Sequence, residues 1–231
     1  MKLSLLCTES TRFSASLKLL AGALTQRIGH KVYRTLKPSS RRIQYRYGHS
    51  VNKIAQYQWF KDQGLSALTF STNEDEVFDW LEKGNTVFGR RLLNSSCGKG
   101  IIIMSNPNEY VVCPVYTLYK KKKREFRVHV FKDTIVSVVE KRKKTGWTDQ
   151  RDTKVRNLAN GYIFCQQVEN EPAGLRELAL AAAKVSPSDF RGVDIGYNER
   201  NDELFIIEVN SAPGITGSNI EKYVQGITQY V

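Results

Sequence analysis

Three oxygen-bearing side chains near the end of the chain stand out: Asp194, Glu208 and Asn210, in "GVDIGYNERNDELFIIEVNSAPG" (residues 192–214). The runs "GVDIGY" and "LFIIEVN" are apolar and rich in branched and aromatic residues, the pattern of buried strands. "NERNDE" between them is polar and turn-forming, so the two runs read as an antiparallel hairpin. About a turn centred on Asn201, Asp194 faces Glu208, and the alternation of side chains puts Asn210 on the face of Glu208. Carboxylates opposed across a strand pair repel each other. Hard cations such as Mg²⁺ bind carboxylate oxygens together with substrate phosphates. The spacing therefore points to a metal–nucleotide site, against the plainer alternative of a hairpin end with solvated acids.

A second stretch, "RRLLNSSCGKGIII", reads as strand, small-residue loop, strand. Gly98 and Gly100 flank Lys99, so backbone N–H groups can approach an anion beside a positive charge. It is not a Walker A loop, because Lys99 is followed by Gly and a strand; a tight hairpin with an exposed lysine is the alternative. Arg90 and Arg91 end the strand entering the loop, and Arg127 and Arg156 follow further on. Cations around phosphates, with a metal bridging phosphate to carboxylate, suit a nucleotide-using enzyme.

The elements that must position these residues fall into two patterns. The first third alternates strand and helix: a strand at "KLSLLCT", a helix at "SASLKLLAGALTQRIG", a strand at "HKVYRTL", and a loop or edge at "KPSSRRIQYRYGHS". Helices follow at "VNKIAQYQWFKDQG" and "STNEDEVFDWLEKG", with a short strand, "LSALTF", between them. From residue 85 onward antiparallel strands dominate. "EFRVHVF" and "TIVSVVEKR" form a hairpin turning at "FKDT", and the helices "AGLRELALAAAKVS" and "NIEKYVQGITQYV" flank the acidic hairpin. The expected division is an α/β part (1–50), a linking segment (51–84) and a core (85–231) split at residue 118. The Gly-rich-loop part then covers 85–118 and an antiparallel-sheet part 119–231.

The 231 residues are 41% hydrophobic and 25% charged, ordinary for a globular chain. No run approaches the ~20 apolar residues of a membrane helix, and the N-terminus lacks a signal peptide's apolar stretch and cleavage site. Four scattered cysteines, Cys7, Cys97, Cys113 and Cys165, suggest neither zinc nor a disulfide framework and fit a reducing cytoplasm. The net charge of +12 implies acidic partners: nucleotides, an acidic peptide or nucleic acid. The runs "KKKKR" (120–124) and "KRKK" (141–144) flank the "FKDT" hairpin and should lie close in space. Arg41 and Arg42 with Tyr45 and Tyr47 interleave cations and aromatics, a pattern that binds nucleic acid and equally suits a rim for an acidic peptide. His30, His49 and His129 do not cluster and read as structural or solvated. Trp147 is placed in a polar loop near the expected acceptor cleft.

In this order the motifs resemble the ATP-grasp superfamily, and within it the ribosomal-protein glutamate ligase group and phage-encoded relatives, over residues 50–216. The resemblance implies an α+β ATP-grasp fold behind a small Rossmann-like α/β part. "NKIAQYQWFKDQGL" puts Lys53 on the first nucleotide-contacting lysine. "VFGRR" resembles the strand before the Gly-rich loop, with Arg90 or Arg91 for the usual lysine; arginine keeps the charge and can grip phosphate bidentately. "SSCGKGI" is similar to the loop that closes over phosphates, with Gly98, Lys99 and Gly100. "VYTLYKKKKREFRV" resembles the adenine hinge, near Tyr119 and Lys120, followed by an acid-x-Arg pair, Glu125 and Arg127. "VRN" supplies Arg156 and Asn157. "GVDI" and "EVN" match the strongest signature, which makes Asp194, Glu208 and Asn210 the implied metal ligands. The implied cofactors are ATP and Mg²⁺, with Mn²⁺ as an alternative. The implied reaction is carboxylate–amine ligation through an acylphosphate, on a peptide, protein or glutamate-like substrate. An enzyme modifying nucleic acid, or a non-catalytic nucleotide- or nucleic-acid-binding protein, remains as the alternative.

Overall fold

A computed structural model describes residues 2–93, 98, 100–148 and 154–231. The first unit is a parallel three-stranded sheet in the order β2-β1-β3, with β1 Leu3–Cys7, β2 Tyr33–Thr35 and β3 Ile43–Tyr47. Helix α1, Ala15–Ile28, crosses from β1 to β2; Ser14 caps it by accepting the Leu17 N–H, and Gly29 ends it at φ 71°. The stretch "KPSSRRIQYRYGHS", expected to be a loop or edge, contains β3, which is an edge strand of this sheet. Its "IQYRY" alternates, so Tyr45 and Tyr47 enter the core while Arg46 stays exposed. Flanking arginines masked that alternation.

Helix α2, Lys53–Asp62, follows with Asn52 as its cap, then β4, Phe70–Ser71, and α3, Glu74–Glu82. β5 (Val87–Arg90), β6 (Ile101–Met104) and β7 (Val115–Leu118) join β4 in an antiparallel sheet ordered β4-β7-β5-β6. Helix α3 packs on this sheet through Val77, Trp80 and Leu81.

The largest sheet is antiparallel and five-stranded, ordered β10-β9-β8-β11-β12. Its strands are β8 (Arg124–Phe131), β9 (Thr134–Lys143), β10 (Tyr162–Cys165), β11 (Phe190–Asn198) and β12 (Glu203–Asn210). β10 has no counterpart among the expected strands. Helix α4, Leu175–Ala183, covers one face with Leu175, Ala179 and Ala182 against Val128, Val193 and Ile206. Helix α5, Ser218–Thr228, packs with α1 and seals the first sheet onto the start of β11 through Tyr223, Val224 and Phe190. Among the described residues no helix is long and apolar enough to cross a membrane.

Candidate active site

A cavity of about 350 Å³ lies between the four-stranded and five-stranded sheets, within the ~300–1,000 Å³ of small-molecule pockets. Asp194, Glu208 and Asn210 line it. The expected Asp194–Glu208 pairing is present, but the strand reaches it by an unexpected route. Near the turn, Asn198 faces Glu203 and Ile195 faces Ile206. Continued unchanged, that register would set Glu208 against Val193, on the core side. One extra residue, Ile207, makes a bulge, so Asp194 meets Glu208 and Gly192 meets Asn210. Ile206 below the bulge and Val209 above it are both in the core. The side-chain alternation of β12 therefore reverses once, and both oxygen-bearing residues turn to the cavity.

β8 and β9 repeat the device. Phe131 faces Thr134 and Val130 faces Ile135, but His129 faces Ser137, with Val136 as the extra residue. Phe126 then faces Glu140, and one step on Lys141 meets Glu125 at 2.5 Å. Lys141 also donates to Asp194 at 2.9 Å. On the neighbouring strand Arg127 grips both oxygens of Asp194, through Nε at 2.6 Å and Nη2 at 2.7 Å. Lys53, at the start of α2, donates to Glu208 at 2.6 Å, and the Asn210 amide donates to the other Glu208 oxygen at 3.1 Å.

The electrostatics follow from this wiring. Burial alone would raise the pKa of Asp194, but Arg127 and Lys141 outweigh it and hold the carboxyl well below the usual range. Burial opposes ionisation of Glu208 too, and Lys53, aided by Arg90 and opposed by Asp194, holds it ionised below its ordinary value. Burial pushes the Lys122 ammonium down; Glu125 opposes the shift, while Arg156 and Lys141 add to it.

The opposite wall carries the groups expected around phosphates. Among the described residues, the Nε of Arg90, buried in the cavity wall, has no hydrogen-bond partner, and neither has the buried hydroxyl of nearby Thr117. Arg91 turns out to solvent, so of the two arginines only Arg90 reaches the cavity. Gly98, at φ 74°, lines it, and a Cβ there would come within 3.0 Å of Val155 and 3.2 Å of Asn157. Gly100 packs on Leu92, away from the cavity wall. Lys99 and Cys97 lie outside the described residues. Tyr119 lines the cavity and stacks on Phe88 at 5.4 Å. Lys120 reaches Glu203 at 2.5 Å. Arg156 donates to the backbone carbonyls of Lys122 and Lys123, and Asn157 begins a 3₁₀ turn at Leu158–Asn160.

Sequence reasoning missed Lys141, Lys122 and Phe164. The two lysines sit in runs that read as solvated charge, although the expected proximity of those runs holds. Counting along the "FKDT" hairpin would have paired Glu125 with Glu140, because the extra Val136 leaves no mark in the residue types. Phe164 lies on β10, and the Arg127 guanidinium stacks over its ring at 4.7 Å. Trp147, placed near the acceptor cleft, instead covers Gly161 and is not part of the cavity wall. His129 is buried against the Tyr223 hydroxyl at 3.2 Å.

Among the described residues no group of three or more His, Cys, Asp or Glu forms a metal cage. That suits a cation held partly by substrate phosphates rather than by protein alone. A carboxylate offers roughly four acceptor sites. Asp194 uses three of them in the bonds above, and Glu208 accepts from Lys53 and Asn210. Asn210 gives its N–H to Glu208, which leaves its carbonyl oxygen as the atom available to a cation. The donor set therefore has capacity for a hard ion such as Mg²⁺.

A cation-rich cavity between a small sheet with a Gly-rich loop and a larger antiparallel sheet with paired acids defines the ATP-grasp class of ATP-dependent ligases. The chain belongs to the family of the RimK-like ATP-grasp domain, whose model matches residues 91–228. No curated protein matches it. Among solved structures it is similar to the ATP-grasp ligase PsnB complexed with minimal precursor, at a TM-score of 0.70 and 10% identity over 100% of both chains. The D-alanine–D-alanine ligase of Bacillus anthracis gives 0.61 and 14%, over 99% of this chain and 92% of that one. A RiPP-associated ATP-grasp ligase of Chryseobacterium gregarium, in complex with ADP and a leader and core peptide, gives 0.62 and 11%, over 100% and 98%. At these identities the likeness is one of fold.

Proposed function

We propose that this chain is an ATP- and Mg²⁺-dependent carboxylate–amine ligase acting on a peptide, protein or glutamate-like substrate through an acylphosphate. The observation that carries the reading is the bulge-set hairpin that turns Asp194, Glu208 and Asn210 into a cavity whose other walls are cationic. The substrate carboxylate attacks the γ-phosphorus of ATP, ADP leaves, and an amine then displaces phosphate from the acylphosphate. Such transfers need positioning and charge stabilisation more than covalent help from the protein.

Asp194, Glu208 and Asn210 would hold Mg²⁺, which when bound supplies positive charge between phosphate oxygens and carboxylates. Lys53 and Arg127 keep those carboxylates ionised and placed. Arg90, whose buried Nε has no partner among the described residues, and Arg156 offer charge to phosphate oxygens. The Gly98 backbone closes against them, with Lys99 and Gly100 in the same loop, and Tyr119 and Lys120 flank the adenine. Glu125 fixes Lys141, and Asn157 orders the turn after Arg156. PsnB in another structure is complexed with precursor peptide PsnA2, and the Chryseobacterium ligase with a leader and core peptide, which supports a peptide acceptor here. A screen of amino acids, acidic peptides and nucleotides for ADP release, with mass spectrometry of products, tests the reading. An adduct lighter by one water than the sum of its two substrates is expected. ATP turnover with no ligated product from any class would overturn it.

A further inference from the structure

The excess charge is concentrated in one unit. Residues 1–50 contain ten lysines and arginines and one acid, Glu9, so nine of the twelve net charges belong to the first 50 residues. Nine of these cations are exposed and Arg42 is partly so. Among the described residues none of the ten is in an ion pair with a carboxylate. This charge does not hold the fold together, and like charges packed this densely repel one another.

The unit's geometry relates the charge to the cavity. At the carboxyl ends of β1 and β3, the Thr11 hydroxyl bonds the Tyr47 carbonyl at 3.3 Å. The Gly48 N–H bonds the Ser211 carbonyl at 2.9 Å, and the Tyr47 hydroxyl bonds that of Pro213 at 2.9 Å. The Ile215 N–H bonds Ser16 Oγ at 2.9 Å. Pro213 and Gly214 are cavity wall. The loop carrying Arg12 and Phe13 therefore abuts the loop that bounds the cavity. Arg34 joins it by donating to the Arg12 carbonyl at 3.0 Å, and Arg46 lies exposed at the end of β3. Phe13 is 82% exposed, with the Arg12 guanidinium 5.5 Å from its ring centroid.

We propose that this end of the N-terminal unit, built on Arg12 and Arg34 beside Phe13, docks an acid-rich polypeptide substrate and leads it into the cavity. What happens to the polypeptide there rests on the ligase reading; the docking does not. Nucleic acid would also answer the charge, but single strands are held by bases stacking on open aromatic faces as well as by phosphate contacts. Here Tyr45 and Tyr47 are buried against Phe131 and Phe190, and Tyr33 is already met by Arg42 at 4.5 Å and Lys31 at 5.3 Å. Unpaired guanidinium forks, which grip carboxylates bidentately, with one apolar anchor, favour the peptide.

Fluorescence anisotropy of labelled octaglutamate with the full chain tests this, alongside oligo(dT) of equal charge. Arg12→Glu with Arg34→Glu should weaken octaglutamate by about tenfold or more, since opposite charges are replaced by like ones. The neutral pair Arg12→Gln with Arg34→Gln should weaken it in the same direction, and is decisive if the reversal pair does not fold. Arg27→Glu with Lys61→Glu, the same charge change at two distant helix ends, should cost less than about threefold because such charges are screened at that range. Asp194→Asn should bind octaglutamate like the unaltered chain, which separates docking from the chemistry. Equal losses in both reversal pairs would overturn the proposal. So would oligo(dT) binding more tightly than octaglutamate and weakening in Phe13→Ala, which would make the surface a nucleic-acid site.

Discussion

Lys141 and Arg34 are both strand cations, and the molecule uses them in opposite ways. Lys141 is 9% exposed and sits between Glu125 and Asp194; Arg34 lies open on the outer strand of the first sheet, where among the described residues its side chain hydrogen-bonds the Arg12 carbonyl alone. The same contrast separates the five-stranded sheet from the N-terminal unit as wholes. In the sheet, burial makes each charge conditional on its neighbours, because an unpaired ion in a dry interior is costly. In the N-terminal unit, water satisfies each charge, so its position is free to serve a partner rather than the fold.

The contrast breaks most sharply at Asp194. Asp194→Ala strands Arg127 and Lys141 together; by urea denaturation it should cost about 3–5 kcal/mol, the range for breaking a buried pair, with ADP formation lost. Asp194→Asn, which keeps hydrogen-bonding capacity, should fold better yet release no ADP. Lys141→Met removes one cation but leaves Arg127 on Asp194, so about 3 kcal/mol is expected in the same assay; a loss under about 1 kcal/mol would mean Glu125 finds water instead.

His129 gives a pH signature confined to the buried region. Burial, with Arg127 adding to it, pushes the imidazole down to about 3, against about 6.5 in the unfolded chain. Below pH 6.5 the unfolded chain takes up a proton that the folded one refuses, so stability falls as pH falls from about 6.5 towards 3. Between pH 7 and pH 5 the loss from this group should be about 2 kcal/mol, read as the difference in pH slope between the native chain and His129→Gln. Gly98→Ala, at φ 74° and crowded by Val155 and Asn157, should cost about 1 kcal/mol and raise the KM for ATP. At the small end, Arg12→Gln with Arg34→Gln should shift stability by less than about 0.5 kcal/mol, by thermal melting, whatever it does to binding.

Much of the site was legible because alternation is a property of residue types. Asp194, Glu208 and Asn210 were found from two apolar runs and a polar turn, and Lys53 from its motif. The same alternation settles Arg90 over Arg91, since Val87 is buried in the core of that sheet and Phe88 and Arg90 share the other face. β3 was hidden because arginines interrupt a strand whose buried positions are tyrosines. β10 is a four-residue edge strand with two exposed large residues, Ile163 and Phe164, and carries little periodic signal. Lys141 was unreadable because its role depends on a bulge, and bulges have no composition.

The extra residues at Val136 and Ile207 give the cavity a dependence on counting that substitutions do not probe. Ile207→Val would leave the strand nearly as it is, and excising Ile207 would remove the bulge while keeping Asp194 opposite Glu208 and Gly192 opposite Asn210, whereas a ladder that took Ile207 in, opposite Asp194, would set Glu208 against Val193 and aim its carboxylate into the core. Chains that share this site should therefore tolerate both exchange and loss of the bulged residue, and an alignment that forbids a one-residue gap at either position would set the acid of one chain against an aliphatic residue of the other.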